Sequence, residues 1–197
     1  MSIHTAVSSC ILAGVCFAFA FWPARAADSR DTTAKPAQAT VVFVCKYGSA
    51  KSLWAADRFN KLAEQRGLAV RAIGRAANPG SFVHTRVLDG VVRGMALEGS
   101  NVADYKIKVL TPEEAAAATR LVHISLQGEP DPDSSVAAAL HVPEERWEDV
   151  PSMLRGPDGA IDKSGRAYNQ AVIQLLPRVD ALFEEIANKP VSLGAVR

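Results

Sequence analysis

Cysteine is scarce in this chain of 197 residues: there are three. Cys10 and Cys16 fall inside an apolar N-terminal run, which leaves Cys45 alone in everything that follows. No intramolecular disulfide can form beyond that run, and a lone thiol in an oxidising compartment is a liability unless it is buried or used. An excess of one charge is also lacking. The 22 basic and 21 acidic residues leave a formal net charge of +1, which gives no electrostatic footing for nucleic acid. His84, His123 and His141 show no ligand spacing such as H-E-x-x-H, so no metal and no other cofactor is expected. There is no internal repeat and no low-complexity tract. What remains, 48% hydrophobic and 22% charged, is the composition of a packed domain and not of a disordered chain.

The N-terminal run, Ala6 to Phe21, is followed by small residues at Ala24 and Ala26, in the pattern a signal peptidase reads. Residues 1–26 are therefore expected to be a cleaved export signal, and the mature protein to be periplasmic or secreted and free of the membrane. If the run stays uncleaved it becomes a membrane anchor, since it approaches the roughly 18 apolar residues that can begin to span a bilayer. Residues 27–39 are polar, contain Pro36, lack periodicity, and read as a linker. One domain is expected over 40–188, with a tail at 189–197.

Within that domain, Thr40 to Cys45 is apolar without alternation, as in a parallel strand covered on both faces. Leu53, Trp54, Ala56, Phe59, Leu62 and Ala63 then fall at helical spacings between Ser49 and Arg66, and Gly67 is placed as a C-terminal cap. Leu68 to Ile73 predicts a second strand, completing a β-α-β unit. A helix is expected around Val87, Leu88, Val91, Val92 and Met95, and another at Thr111, where Pro112 and Glu114 complete a capping box. Strands are predicted at Leu121 to Ile124 and at Ala138 to Val142, ended by Pro143. Trp147 to Lys163 reads as a long loop. A final helix over Arg166 to Asn188 is expected to kink or split at Pro177. The alternation gives an α/β class: a single domain with a mainly parallel four-stranded sheet flanked by helices.

The chemistry concentrates in Val41 to Ser52, "VVFVCKYGSAKS". Cys45 ends the first strand, where parallel sheets bind ligands and helix N-termini point outward. A short loop at such a position can offer its backbone N–H groups to an anion, and the same donors favour a thiolate. Lys46, Tyr47, Gly48, Ser49, Ala50, Lys51 and Ser52 are the candidate oxyanion-binding residues. A nucleotide-binding loop ending in the same Lys-Ser pair would need Gly at positions 45 and 50, which hold Cys45 and Ala50.

C-x5-R-[ST] directly after the first strand resembles the signature of the low-molecular-weight protein tyrosine phosphatases and of the arsenate reductases that share their fold. Here "CKYGSAKS" keeps the cysteine, the spacing and the final serine. The resemblance runs from about Val41 to Ile186 and includes a late loop, "RWEDVPSM". It implies that Cys45 attacks phosphorus, that Ser52 steadies the thiolate, and that Asp149 protonates the leaving oxygen, with Asp131 as the spare candidate. The implied partner is a phosphate-like anion or a phosphorylated substrate. Lys51 stands where the family has arginine, which trades a planar fork for a point charge. Tyr47 replaces a usual glycine, with Gly48 beside it to take up the strain. Arsenate reduction through a thiol relay would need a second cysteine to resolve the first. Besides phosphomonoester hydrolysis, the pattern fits a catalytically weakened module that only binds an oxyanion or a phosphoprotein.

Overall fold

A computed structural model describes residues 39–77, 86–125 and 142–188. The expected export signal, most of the expected linker, Asp131, His84, His141 and the expected tail lie outside the described residues. Four strands, β1 (Ala39–Cys45), β2 (Val70–Ala76), β3 (Arg120–Ile124) and β4 (Glu144–Trp147), form one sheet. Their order is β2-β1-β3-β4, and every pairing is parallel. The helices are α1 (Lys51–Gln65), α2 (Asp89–Leu97), α3 (Pro112–Ala116) and α4 (Arg166–Asn188).

The two faces of β1 differ in what they bury. Phe43 points to the face covered by α1 and α4, where it meets Phe59 at 6.3 Å and Trp147 at 5.8 Å between ring centroids. Phe59 in turn packs edge-on against Phe183 of α4 at 5.2 Å. Truncating such a buried ring to Ala costs about 3–5 kcal/mol. Val42 and Val44 point the other way and join Leu121 in a smaller cluster. Because both faces are covered, β1 reads as a continuous apolar run, and its last residue emerges at the carboxyl edge of the sheet.

Three boundaries depart from the sequence reading, each for a physical reason. Strand β2 begins two residues later than expected and runs on through Gly74, Arg75 and Ala76, in register with β1 as far as Cys45 opposite Ala76. Gly74 is required there, since a Cβ would lie 2.8 Å from the Ser52 carbonyl oxygen of α1. A strand follows Pro143, where the sequence reading leaves the chain between a strand and a loop: Glu144–Trp147, a polar edge strand whose pairing is led in by Leu121 donating its N–H to the Pro143 carbonyl. Of the strand expected at 138–142, residues 138–141 lie outside the described residues. Finally, α4 does not split at Pro177, which sits on its exposed side. The carbonyl freed by a proline can be met there by water. The capping box at Thr111 forms as the sequence indicates, with Glu114 N–H donating to the Thr111 hydroxyl at 3.2 Å.

Candidate active site

Cys45 closes β1 between Ala76 of β2 and Ile124 of β3, where the chain order reverses across the sheet. Such a switch point opens a crevice at the strand ends. The thiol is 4% exposed, and its Sγ lies 3.1 Å from Oγ of Ser52, a wholly buried residue in the first turn of α1. The same hydroxyl lies 3.2 Å from the Arg75 carbonyl oxygen. A hydroxyl carries one proton. With Cys45 as a thiol, that proton can go to Arg75 while the hydroxyl oxygen accepts from sulfur; with a thiolate, the proton turns to sulfur. Ser52 is thus placed to donate to the charged nucleophile. It does not cap α1, whose N-cap is Ala50 with no side-chain hydrogen bond.

The loop between strand and helix takes its left-handed turn at Gly48, with φ of 64°. A Cβ there would meet the Ala76 backbone nitrogen at 2.7 Å, so this position needs glycine for both conformation and space. The turn falls one residue after Tyr47, whose ring lies 5.2 Å from Lys46 Nζ. Cys45, Lys46, Tyr47, Ser49, Ala50 and Lys51 all line one open cavity of about 1240 Å³. Gly48 is packed behind it on Ala76, and Ser52 lies beneath Cys45.

Lys51, the first residue of α1, donates from Nζ to the carbonyl of buried Val150 at 3.1 Å. That contact ties the loop to the segment 149–163, which forms the opposite wall. Asp149 is next in sequence to Val150, yet its carboxylate is turned onto Arg178 of α4 at 2.7 and 2.8 Å and is not among the cavity-lining residues. The guanidinium holds the Asp149 carboxyl below the usual carboxylate range. The cavity wall also carries residues that no motif announced: Asp89 and Arg93 on α2, then Arg155, Asp162, Lys163 and Gln170. A tight turn arranges part of this wall. Arg155 pairs with Ile161 as an isolated bridge and donates to the Gly159 carbonyl at 2.6 Å. Asp162 accepts from the Ser164 hydroxyl at 2.5 Å and from the Ala167 and Ser164 backbone N–H groups at 2.6 and 2.8 Å ahead of α4, and these bonds, the hydroxyl's first, pull its pKa down to about 2.

Among the described residues no group of three or more His, Cys, Asp and Glu stands together as a metal site. His123 is buried on β3, and burial, with Arg146 nearby, lowers its pKa to about 4, so the imidazole is neutral at pH 7.

No family model matches the sequence, and no curated protein matches it either. Solved structures do. A low molecular weight protein tyrosine phosphatase from Bacillus subtilis superposes at a TM-score of 0.57 with 16% identity, over 76% of this chain and 98% of its own. The chain has the low-molecular-weight phosphatase fold. Vibrio vulnificus Wzb, solved with benzylphosphonate, matches at a TM-score of 0.57 with 14% identity, over 75% of this chain and 98% of its own. The thioredoxin-dependent arsenate reductase of Corynebacterium glutamicum matches at 0.53 with 19% identity, over 78% of this chain and 64% of its own. Phosphatases and arsenate reductases therefore share this architecture with the chain, at identities that establish fold and nothing finer.

Proposed function

We propose that this protein is a cysteine-dependent phosphatase acting on phosphomonoesters. The observation that carries the reading is the Cys45–Ser52 pair, a thiol at the floor of a cation-lined cavity with a buried hydroxyl 3.1 Å behind its sulfur. In the first step Cys45 Sγ attacks phosphorus, the S–P bond forms, and the ester P–O bond breaks with its electron pair leaving on oxygen. Water then attacks the cysteinyl-phosphate, releasing phosphate and restoring the thiolate, which Ser52 receives as a hydrogen-bond donor. Lys51 and the loop backbone stabilise the charge that develops on the transferring group. Asp149 can protonate the leaving oxygen only after parting from Arg178, so esters whose leaving groups are already stable anions are expected to react fastest.

The engagement of Lys51 with Val150 and of Asp149 with Arg178 favours, as a second reading, a module that holds an oxyanion without turning it over. Arsenate reduction would need an external thiol, because Cys45 is the sole cysteine after residue 16. A rapid-mixing assay with phenyl phosphate distinguishes the first two readings: the phosphatase gives a burst of phenol that Cys45→Ser abolishes, whereas phenol release independent of Cys45 overturns it. Export is part of the proposal and rests on the Ala6–Phe21 run with its small-residue site. N-terminal sequencing of the protein recovered from the producing cell tests it, a start at Ala27 being expected and retention of Met1 or Ser2 contradicting cleavage.

A further inference from the structure

Resting on that phosphatase reading, we infer that the leaving side of the substrate bears a second anionic group, bound by Arg93, Arg155 and Lys163. All three line the same cavity as Cys45, Arg93 from α2 and the other two from the wall segment. Gly90 of α2 faces Leu154 of the wall, where a Cβ would be in ordinary contact with Leu154 Cδ2 at 3.4 Å, and both residues line the cavity together with Arg93.

The charges of these three side chains are not cancelled locally. Arg93 and Lys163 make no hydrogen bond or ion pair with the described residues, and Arg155 gives a single bond to the neutral Gly159 carbonyl. The cavity lining holds two carboxylates, Asp89 and Asp162, against five cations, Lys46, Lys51, Arg93, Arg155 and Lys163, so its charge is net positive. Asp89 pairs with Arg86 at 3.0 Å, and the oxygens of Asp162 accept from Ser164 and Ala167. Cations left uncompensated on the wall of a cleft raise the local concentration of anions and orient them. The cavity, at about 1240 Å³, is larger than the roughly 300–1000 Å³ of typical small-molecule sites and far exceeds what a transferred phosphoryl group fills. Among its described lining residues Tyr47 is the one aromatic. The wall also carries Met153, Leu154 and Ile161, so a leaving group meets aliphatic surface beside these cations, and a carboxylate or a further phosphate is the chemistry that answers the cations.

The test uses Cys45→Ser, which cannot turn substrate over through sulfur, and calorimetry with phenyl phosphate, 4-carboxyphenyl phosphate and 1,4-phenylene bisphosphate. At low ionic strength the two doubly substituted esters are expected to bind about 10-fold or more tightly than phenyl phosphate, and the margin to shrink with added salt. Adding Arg93→Gln and Lys163→Gln is expected to bring the ratio below about 3, with Arg155→Gln as a separate, smaller step. Which of the two substituted esters binds better identifies the second group as carboxylate or phosphate. Equal affinities for all three esters, or a preference that survives the double substitution, overturns the inference. The phosphatase reading fails separately, through absence of a phenol burst in the wild type, and the affinity ratio in Cys45→Ser still decides the second-anion site. If Cys45→Ser binds none of the esters, the second-anion inference falls, while the wild-type burst still decides the phosphatase reading.

Discussion

The floor and the far wall of the cavity are built in different ways. The floor consists of Cys45, Gly48, Ser52 and the Arg75–Ala76 backbone, all buried, and its contacts link residues within about thirty positions of one another in a single β-α-β unit. The wall, from Asp149 to Lys163, is mostly exposed and is held by contacts with α4 and by its own turn. Buried, locally closed geometry leaves the nucleophile little freedom. The wall's polar contacts face water, where each ion pair contributes only about 0–1 kcal/mol, so its side chains can change without unmaking the fold. A hydrogen bond from Lys51, the first residue of α1, to the Val150 carbonyl joins the two regions.

The sharpest way to break the floor is Gly48→Ala. A left-handed residue with a Cβ 2.7 Å from the Ala76 nitrogen costs about 1–3 kcal/mol in conformation alone, before any clash is relieved. Loss of phosphate affinity and of turnover by about 100-fold, with a lowered Tm, is expected; unchanged phosphate binding by calorimetry would show that the loop does not depend on this turn. Ser52→Ala comes next. Removing a donor to a charged acceptor costs about 1.5–3 kcal/mol, so alkylation of Cys45 by iodoacetamide and dephosphorylation of the cysteinyl-phosphate are both expected to slow by roughly 10- to 150-fold.

Lys51 tests the junction. Lys51→Ala should lower kcat/KM about 10-fold, and Lys51→Arg should match or exceed the wild type, since a guanidinium can grip two oxygens at once. Equal rates for all three proteins would remove Lys51 from the chemistry and leave it as a tether to Val150. The smallest effects belong to the wall. Asp149→Asn is expected to change turnover of an aryl phosphate by less than about 3-fold, where an engaged general acid would account for roughly 100-fold or more. Arg178→Gln sharpens the point through pH. Asp149 donates a proton only below its pKa, and Arg178 holds that pKa low; removing the guanidinium should carry the falling limb of the pH–rate profile to higher pH and quicken alkyl esters most. A profile unmoved by Arg178→Gln would mean that Asp149 has no part in the proton transfer.

The same contrast explains what could be read from the chain alone. Cys45, Gly48 and Ser52 were legible because one strand, one loop and one helix place them, and local pattern governs all three. Strand β4 was not legible because "EERW" carries no apolar run: it is an edge strand, and pairing with β3 makes it a strand more than its own composition does. The Asp149–Arg178 pair spans 29 residues and depends on how α4 lies beside the wall, which no local spacing encodes. Arg93, Arg155 and Lys163 belong to no motif. Isolated surface cations look alike in sequence, and only the folding of the 151–163 segment beside α2 makes them neighbours of one cavity.

The claim on which the account rests most heavily is that Cys45 becomes phosphorylated. Wild-type protein mixed with phenyl phosphate, quenched in acid within the first turnover and digested, should yield the peptide holding Cys45 with a phosphoryl group on sulfur by mass spectrometry, and Ser52→Ala should accumulate more of it because its breakdown is slowed. Phenol released at the same rate with no phosphoryl adduct on Cys45 at any quench time would contradict the account.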